Sequence, residues 1–528
     1  MIYLYKSIKC EAYLESRQHH LNNLKDKNFQ VAIVGAGING AVSAAALAAG
    51  GVKVALIDRG DFAGVTSQES SNMVWGGIKY LQTYEIPLVW NLCGSRNHLL
   101  DAFPNRIKAI SFLAAIGPTA PFGRFLGALG TILYWVLGRF KTKPPKVYSP
   151  EETSEVENLI NSNGLKGAVR YDDALLIDND ARFVWDFVKN AKDHGAITAN
   201  YVSMQDAKNE DGKWKLFLKD ELSSDEFQIK ADVVINAGGP FGKDLTSKFH
   251  DQTLHQLALS KGIHLVVPKL TTNNRVLAFF DDKGRLFYVI PMQDRSVIGT
   301  TDTRVENPVS EVTDEDRDFV LEQANRCLNL VKPLTKDDII SERCGVRPLV
   351  VKGKKDVSKI EWTALSRKHE IEVNKKTKII TIFGGKLTDC VNVGEEIVDY
   401  VRKLGISIPK VKKWYGEDDQ KIFKTFETDF KQLIGISEND VEVIAPAIWR
   451  RHGNESFKIL EIMKQDPQNR VRIFPDLDLT YAETLFIAQN EMVQMPEDIW
   501  RRRTAISLLR TKEEMAQNPL IQRINSLI

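Results

Sequence analysis

One glycine-rich turn constrains the fold of this chain more than any other feature of its sequence. Gly35, Gly37 and Gly40 form a G-x-G-x-x-G pattern that follows a Val- and Ile-rich run and opens a run of small residues at helical spacing. A Gly-Gly pair ends this predicted helix, and a second apolar run follows and finishes at Asp58. The order of strand, glycine turn, helix and strand predicts a βαβ unit of a Rossmann-type α/β domain.

The chemistry of this unit predicts a dinucleotide ligand. The first glycine permits the tight turn, the second lets the backbone approach a pyrophosphate, and the third lets the helix pack on the strand. The helix N-terminus at Ile38 and Asn39 offers N–H groups and a positive dipole to phosphates. Asp58 can accept hydrogen bonds from an adenosine ribose. A tight turn that binds nothing is the alternative interpretation.

Two later glycine turns favour FAD over NAD as this dinucleotide. The segment 232–242 (DVVINAGGPFG) is a predicted strand that runs into a turn at Ala237 and Gly238. The segment 381–388 (TIFGGKLT) is a predicted strand that enters a turn at Gly385 before a helix. The N-terminus of such a helix can stabilise negative charge on a flavin ring.

The size and charge of the chain exclude several classes of protein. Its 528 residues are too many for one hydrophobic core, so they predict two or three domains. The 71 Lys and Arg residues nearly balance 69 Asp and Glu residues, which excludes the strongly basic surface of a nucleic-acid-binding domain. The five cysteines are scattered without a C-x-x-C pair, so they predict reduced thiols in a cytoplasmic protein and no metal site.

One segment has the composition of a lipid-facing helix. Residues 125–138 (FLGALGTILYWVLG) are apolar and lie between Arg124 and Arg139. The segment is shorter than the roughly 20 residues that span a bilayer. A buried helix and a helix on a membrane surface are the two alternatives. Residues 1–30 contain no apolar run of signal-peptide length, so secretion is not expected.

A long, ordered series of motifs resembles one known family. The series contains the glycine turn and the following segments: GDF at 60–62, TS at 66–67, SS at 70–71, GGIKYL at 76–81, KGIH at 261–264, IGTTDT at 298–303, GVRPL at 345–349, SR at 366–367, GGKLT at 384–388, RRHG at 450–453 and EDIWRRR at 497–503. In this order they resemble the FAD-dependent glycerol-3-phosphate dehydrogenases and oxidases over most of residues 29–515.

The resemblance implies a three-part organisation. An N-terminal extension (1–28) precedes a Rossmann-like FAD-binding domain interleaved with an antiparallel-sheet substrate domain (29–410). An all-α C-terminal domain (411–528) follows, in agreement with the helical patterns that dominate after residue 413. Strand-like runs lie at 196–202, 214–218, 231–236, 264–268, 286–290 and 379–383, and helical patterns lie at 310–331, 422–434, 439–451, 481–491 and 496–509.

The resemblance also implies the site residues. The flavin would lie between the two parts of the α/β region and take a hydride at N5 from C2 of the substrate. Besides the residues of the three glycine turns, the implied cofactor contacts are Arg59, Thr66, Ser67, Ser71, Gly76, Gly77, Asp302, Lys386, Leu387 and Thr388. The implied substrate contacts are Lys79, Tyr80, Arg347, Arg367 and Lys386, and Lys386 and Arg347 are the implied catalytic residues. His264 is a further catalytic candidate, which follows from a departure from the family pattern and not from the resemblance. A guanidinium fork suits a phosphate because it can bind two oxygens at once.

The chain departs from the family in four places. It has Trp-Gly-Gly-Ile-Lys-Tyr at 75–80 where the family has His-Gly-Gly-Leu-Arg-Tyr. Trp75 cannot accept the proton of a substrate hydroxyl, so the proton would have to go elsewhere. His264 and His369 are the candidate acceptors, and a purely structural role is the alternative for each of them. Lys79 keeps a positive charge without the planar fork of arginine. Glu69 stands where the family often has arginine, and Asp-Cys-Val at 389–391 replaces Thr-Tyr-Arg.

These observations predict oxidation of sn-glycerol 3-phosphate to dihydroxyacetone phosphate. Electrons would pass to a quinone in preference to oxygen, from a cytoplasmic protein at the inner face of the cell membrane, with a homodimer as one candidate assembly. Two alternatives stay open. The chain would be an FAD-dependent enzyme for another hydroxy acid or an amine, or a flavin-binding protein without turnover.

Overall fold

The computed structural model describes residues 17–353, 368–433 and 435–528. The strands are β1 (Asn28–Val34), β2 (Val54–Ile57), β3 (Met73–Val74), β4 (Ile107–Ala115), β5 (Lys146–Tyr148), β6 (Ala168–Leu176), β7 (Ile197–Ala199), β8 (Val202–Glu210), β9 (Lys213–Asp220), β10 (Glu226–Asn236), β11 (His255–Pro268), β12 (Val276–Phe280), β13 (Leu286–Met292), β14 (Arg295–Gly299), β15 (Thr303–Val305), β16 (Ser341–Lys352), β17 (Glu370–Asn374) and β18 (Ile379–Phe383).

The helices alternate with these strands and then dominate the end of the chain. They are α1 (17–24), α2 (Ile38–Ala49), α3 (Ile86–Ala102), α4 (Arg124–Leu137), α5 (Pro150–Val156), α6 (Asp180–Asp193), α7 (Gly242–Lys248), α8 (Asp314–Cys327), α9 (Cys390–Lys403), α10 (Gln420–Lys431), α11 (Glu438–His452), α12 (Ser456–Gln465), α13 (Tyr481–Asn490), a π-helix (Asp498–Arg503), α14 (Ile506–Leu509), α15 (Lys512–Gln517) and α16 (Pro519–Asn525).

An eight-stranded sheet carries the glycine turn. Its strand order is β17-β18-β10-β1-β2-β7. In addition, β9 pairs with β10, and β8 pairs with β9. β1 is parallel to both β2 and β10, so the ends of these strands meet at one edge of the sheet. Small side chains let α2 pack closely against the sheet, and ten of its twelve residues are buried. The predicted Rossmann-type βαβ unit is confirmed.

A ten-stranded sheet forms the second layer. Its order is β15-β11-β14-β13-β12-β4-β6-β3, and β16 pairs with β11 while β5 pairs with β6. All of these neighbours are antiparallel except β4 and β12. β11 and β16 place Gly262 directly opposite Gly345 and Ser260 opposite Arg347. The antiparallel sheet implied by the family resemblance is therefore present.

Helices from α10 onward form the C-terminal part of the chain, and buried ion pairs attach this part to the eight-stranded sheet. Asp61 follows β2 and is fully buried at its side chain. It accepts hydrogen bonds from Arg502 Nε at 2.8 Å and from Arg503 Nη1 at 2.8 Å and Nη2 at 3.0 Å. The mixed α/β class with a helical C-terminal part is confirmed, whereas the boundaries at 28 and 410 stay predictions.

Two predicted elements are broken in the structure. The strand predicted at 196–202 is interrupted between β7 and β8, where Tyr201 adopts a left-handed φ of 55°. The helix predicted at 496–509 is a π-helix followed by α14, with an extended residue, Thr504, between them. The wider turn of the π-helix lets three consecutive arginines, 501–503, contact buried partners. The periodicity of the sequence does not reveal these contacts.

The apolar segment 125–138 forms α4 on the surface of the protein. Gly127, Thr131 and Tyr134 face inward, whereas Phe125 is 85% exposed and Leu129 is 54% exposed. The alternative of a buried helix is therefore wrong. Within the described ranges, no helix has the length and apolar character needed to cross a bilayer.

Candidate active site

Two connected cavities lie where the two sheets meet. The first, the cofactor cavity, has a volume of about 440 Å³ and begins at the glycine turn between β1 and α2. The second, the substrate cavity, has a volume of about 300 Å³ and extends over β11 and β16 of the antiparallel sheet. Both are lined by Ile38, Thr66, Ser67, Pro348, Gly384 and Gly385, so one elongated ligand can occupy both.

The glycine turn has no room for side chains. Gly35 adopts a φ of 103°, and a Cβ atom on it would lie 2.5 Å from the carbonyl oxygen of Ala237. A Cβ atom on Gly40 would lie 1.8 Å from the carbonyl oxygen of Gly35. Gly37 lines the cofactor cavity and immediately precedes α2, so the positive end of the helix faces the space for a diphosphate.

Asp58 closes the nucleotide end of the cofactor cavity. Its carboxylate accepts hydrogen bonds from Ala36 N at 2.6 Å and Gly60 N at 3.0 Å. Burial raises the pKa of Asp58 to about 6, although these two hydrogen bonds oppose the shift. Arg59 stacks its guanidinium on the ring of Phe241 at 3.6 Å and lines the same cavity.

FAD affinity is expected to fall as the pH decreases from 7 to 5. A ribose hydroxyl that donates to Asp58 stabilises the ionised carboxylate, so bound FAD lowers the pKa of Asp58 and binding below pH 6 releases a proton. Titration of the apoprotein with FAD at several pH values measures this effect. Asp58→Asn should weaken binding and remove the pH dependence, and an affinity of the unmodified protein that is constant from pH 5 to 7 would contradict the assignment.

The end of the cofactor cavity that adjoins the substrate cavity, here called the flavin end, is built from polar groups of distant segments. Asn39 Nδ2 donates to Gly384 O at 2.9 Å, and its Oδ1 atom is buried without a hydrogen-bond partner in the described part of the chain. Ser67 Oγ accepts from Ile38 N at 3.0 Å, and Gly385 adopts a φ of 107° beside Asn39. A glycine cradle with an unsatisfied amide oxygen suits a polar dinucleotide, so these residues fit FAD.

The substrate cavity has a cationic wall. Among its described lining residues, five are basic and two are acidic: Lys79, Arg285, Arg347, Lys368 and Lys386 against Glu69 and Asp302. Arg285 and Lys368 were not expected from the sequence, because neither stands in a position that the family resemblance marks. This excess of positive charge favours a ligand with more than one negative charge.

Arg347 is held in place by the loop after β14. It donates to Thr300 Oγ1 at 3.1 Å and to Thr301 O at 3.4 Å, and its Nη1 atom lies 3.7 Å from Asp302 Oδ1. The guanidinium lies over Gly262, where a Cβ atom would come within 2.4 Å of three of its atoms. The absence of a side chain at Gly262 therefore makes the position of Arg347 possible.

His264 is a buried imidazole in the wall of the substrate cavity. Neither ring nitrogen has a hydrogen-bond partner within the described ranges. Burial, together with the charges of Arg343 and Arg347, holds the pKa of His264 well below its ordinary value. The ring is therefore neutral at pH 7 and can accept a proton.

His369 does not have the properties of a proton acceptor, which corrects one alternative from the sequence. It lines neither cavity, and its ring contacts Asp389 Oδ2 at 2.8 Å and Glu396 Oε1 at 3.1 Å. Although burial opposes the shift, these carboxylates raise the pKa of His369 to about 9. The ring is already protonated at neutral pH and links β17 to α9.

The structure brings most of the predicted site residues together. Those that line the cofactor cavity are Gly35, Gly37, Ile38, Asn39, Asp58, Arg59, Thr66, Ser67, Ala237, Gly238 and Gly385. Those that line the substrate cavity include Ser71, Lys79, Tyr80, His264, Asp302, Arg347, Lys386, Leu387 and Thr388. Four residues expected at the cofactor line only the substrate cavity: Ser71, Asp302, Leu387 and Thr388, of which Asp302 lies beside Arg347.

Three predicted residues lie elsewhere. Gly40 packs under the first glycine turn, and Gly76 and Gly77 lie behind the cavity wall. Gly76 N donates at 3.0 Å to the buried carboxylate of Asp173, which supports the turn that carries Trp75 and Lys79 into the cavity. Arg367 lies outside the described residues.

Two family models match the chain. The model described as FAD dependent oxidoreductase matches residues 30–365, and the model of the C-terminal domain of alpha-glycerophosphate oxidase matches residues 412–525. An aerobic glycerol-3-phosphate dehydrogenase of Staphylococcus aureus is 30% identical over 511 residues, which cover 92% of this chain and 88% of that protein.

Solved structures share the fold. A glycerol-3-phosphate dehydrogenase from Bacillus halodurans complexed with FAD superimposes with a TM-score of 0.73 at 24% identity and covers 97% of this chain and 92% of that one. An L-alpha-glycerophosphate oxidase from Mycoplasma pneumoniae with FAD bound has a TM-score of 0.56 at 16% identity, with coverage of 74% and 98%.

A nucleotide cradle that opens into a cationic cavity between these two sheets defines an FAD-dependent oxidoreductase, the class that the longer family model describes. The second family match and the 30% identity to the Staphylococcus aureus protein over 92% of this chain identify the family. The chain belongs to the FAD-dependent glycerol-3-phosphate dehydrogenase family. FAD is its cofactor.

Proposed function

We propose that the chain oxidises sn-glycerol 3-phosphate to dihydroxyacetone phosphate. The observation that carries the proposal is the cationic substrate cavity, which adjoins the flavin end of the cofactor cavity and contains a neutral imidazole. Relatives named aerobic glycerol-3-phosphate dehydrogenase support the same substrate. A phosphate monoester carries up to two negative charges, which suits five basic side chains against two carboxylates.

The basic residues bind and orient the substrate. Arg347 presents a guanidinium fixed by three groups of the loop after β14, so it can bind two phosphate oxygens with little loss of side-chain freedom. Lys79 adds a second positive charge to the lining of the same cavity. Contacts of the phosphate with both side chains would fix the distance between the substrate carbinol and the flavin end of the site.

Two residues act on the hydroxyl group of the reacting carbon: one accepts its proton and the other stabilises the negative charge on its oxygen. Bound FAD supplies the acceptor for the hydride of substrate C2 at its N5 atom. His264 accepts the hydroxyl proton, because its ring is neutral, lines the same cavity and has no hydrogen-bond partner among the residues that the structure describes. Lys386, whose Nζ atom lies 4.0 Å from the ring centre of Tyr80, stabilises the negative charge that develops on the substrate oxygen.

Anaerobic mixing with glycerol 3-phosphate tests the proposal. The visible absorbance of the bound flavin should bleach within the first turnover, and dihydroxyacetone phosphate should form in equal amount. Bleaching by another hydroxy acid or an amine, but not by glycerol 3-phosphate, would replace this function with the second candidate. A flavin that no substrate reduces would indicate a binding protein without turnover.

The second candidate function, oxidation of another hydroxy acid or an amine, is supported by the residue that lies beside Tyr80 in the substrate cavity. Trp75 lies with its ring centre 5.9 Å from that of Tyr80 and lines the substrate cavity, so it adds apolar surface where the family has histidine. A bulkier or less polar hydroxy acid would gain contact with this indole. The cation excess of the cavity nevertheless favours a phosphorylated substrate.

The proposed electron acceptor is a membrane quinone, and the exposed face of α4 supports it. Phe125, Leu126, Leu129, Ile132, Leu133 and Val136 form this face, which we call the α4 face. Exposed cations flank it at Arg124, Arg139, Lys141, Lys143 and Lys146. An apolar stripe beside cations suits the surface of an anionic bilayer, and fully burying one such side chain contributes about 1.5–3 kcal/mol.

Charge placed on the α4 face should prevent membrane binding. The double substitution Leu129→Glu and Ile132→Glu is expected to lower the fraction that sediments with phosphatidylglycerol vesicles at least tenfold, with flavin content unchanged. Leu254→Glu with Val331→Glu is the matched control, since both residues are exposed and neither belongs to α4. An equal loss in the control, or no loss in the α4 variant, would exclude this face as the contact.

A further inference from the structure

A single loop connects the two cavities and carries an acidic residue into the substrate cavity. Residues 66–72, here called the cavity loop, contribute Thr66 and Ser67 to both cavities and Glu69 to the substrate cavity. Thr66 Oγ1 donates to Val346 O at 2.7 Å, next to Arg347 in β16. The loop therefore couples the position of the cofactor to that of the phosphate-binding strand.

Glu69 faces the substrate cavity but has two protein partners. Its Oε2 atom accepts from Cys344 N of β16 at 3.2 Å, and its Oε1 atom lies 3.1 Å from Arg501 Nη2. The loop lies against Gly345, where a Cβ atom would come within 2.9 Å of Glu69 Cβ. The glycine opposite Gly262 thus lets this carboxylate approach the sheet.

Arg501 comes from the helical C-terminal part, from the π-helix that its two neighbouring arginines attach to Asp61. Its guanidinium is buried and also donates to the carbonyl of Gln68 in the cavity loop. Arg343 donates to the same carbonyl at 2.9 Å, and Asp180 accepts from Ser70 N at 2.8 Å. Charged groups from three separate segments therefore hold the cavity loop.

We infer that Arg501 is a positioning residue that neutralises Glu69, so that the C-terminal part of the chain sets the charge of the substrate cavity. This inference rests on the proposed binding of a phosphorylated substrate. Without Arg501, the carboxylate of Glu69 would face the phosphate with Arg343 as its remaining basic neighbour and Asp180 as a second negative charge. Repulsion between carboxylate and phosphate would then weaken substrate binding.

Binding of inorganic phosphate to the FAD-loaded protein tests the inference without turnover. Arg501→Gln is expected to weaken phosphate binding about tenfold by calorimetry, and Arg501→Lys by less than about threefold. The double variant Glu69→Gln with Arg501→Gln should recover most of the lost affinity, because the unpaired carboxylate has been removed. A residue with a merely structural role would give a double variant no better than Arg501→Gln.

Acidification gives a second readout. Burial raises the pKa of Glu69 and the charges of Arg501 and Arg343 oppose the shift, so removing Arg501 lets Glu69 take up a proton more readily. Phosphate affinity of Arg501→Gln should therefore approach that of the unmodified protein as the pH is lowered. A ratio of the two affinities that does not change as the pH is lowered would overturn the inference.

Arg503→Gln is the matched control. Arg503 belongs to the same π-helix and is fully buried, but it contacts Asp61 and Glu491 O and not the cavity loop. This variant should lose thermal stability and keep its phosphate affinity. Equal weakening in Arg501→Gln and Arg503→Gln would overturn the inference. If glycerol 3-phosphate fails to bleach the flavin while the phosphate results hold, the proposed substrate is wrong and the positioning role stands.

Discussion

Replacing His264 with asparagine is expected to slow the reduction of bound flavin by glycerol 3-phosphate about 10²–10⁴-fold, the usual contribution of a general base. The amide preserves much of the size and polarity of the ring but cannot accept a proton at neutral pH. Stopped-flow absorbance under anaerobic conditions measures the rate directly. Because the pKa of His264 is held well below its ordinary value, the rate with the unmodified protein should stay constant from pH 8 to 7.

Trp75→His gives the control for this assignment. The substitution restores the family residue at the wall of the same cavity, yet it should change the rate by less than about threefold because His264 already accepts the proton. A large gain in Trp75→His, together with a small loss in His264→Asn, would show that proton transfer limits the native chain and that His264 does not perform it.

Replacing Arg347 with alanine is expected to raise the Michaelis constant for glycerol 3-phosphate at least 100-fold, with flavin content unchanged. The substitution removes a charge-assisted fork from the substrate cavity, whereas the described glycine turn and Asp58 remain intact. Steady-state kinetics and the ratio of flavin absorbance to protein absorbance measure the two quantities. Equal losses of substrate affinity and flavin would contradict the role of Arg347 in phosphate binding.

Gly262→Ala should reproduce part of this effect without touching a charge. The added methyl group would overlap the Arg347 guanidinium, which would have to leave its contacts with Thr300 and Thr301. Gly130→Ala is the control, because Gly130 lies on α4 and a Cβ atom on it would meet no other atom within 4 Å. Only Gly262→Ala should raise the Michaelis constant.

The nucleotide-binding half of the site was predictable because local rules determine it. Gly35 and Asp58 occupy fixed places in a short βαβ unit, and the structure places both in the cofactor cavity. The cations Arg347 and Lys386 came from the family resemblance, since no local rule brings β16 and the turn after β18 together. Their roles in binding and catalysis stay predictions.

Other residues of the site depend on tertiary contacts that the sequence does not encode locally. Arg285 and Lys368 carry no motif and reach the cavity only because the two sheets meet there: Arg285 precedes β13 of one sheet and Lys368 precedes β17 of the other. The proton held by His369 follows from two carboxylates that lie 20 and 27 residues away in the chain. The pairing of Glu69 with Arg501 spans 432 residues, so no pattern around either residue indicates it.

The attachment of Asp61 limits how far this chain can be shortened. A truncated form ending near residue 410 would lack Arg502 and Arg503, so Asp61 would lose these counter-ions and become open to water directly after β2. The buried ion pairs and the burial that accompanies them would be lost together, from a total of roughly 5–15 kcal/mol that keeps a domain folded. A form made from the α/β region alone is therefore expected to be less stable than the whole chain at the segment that follows the nucleotide-binding strand β2.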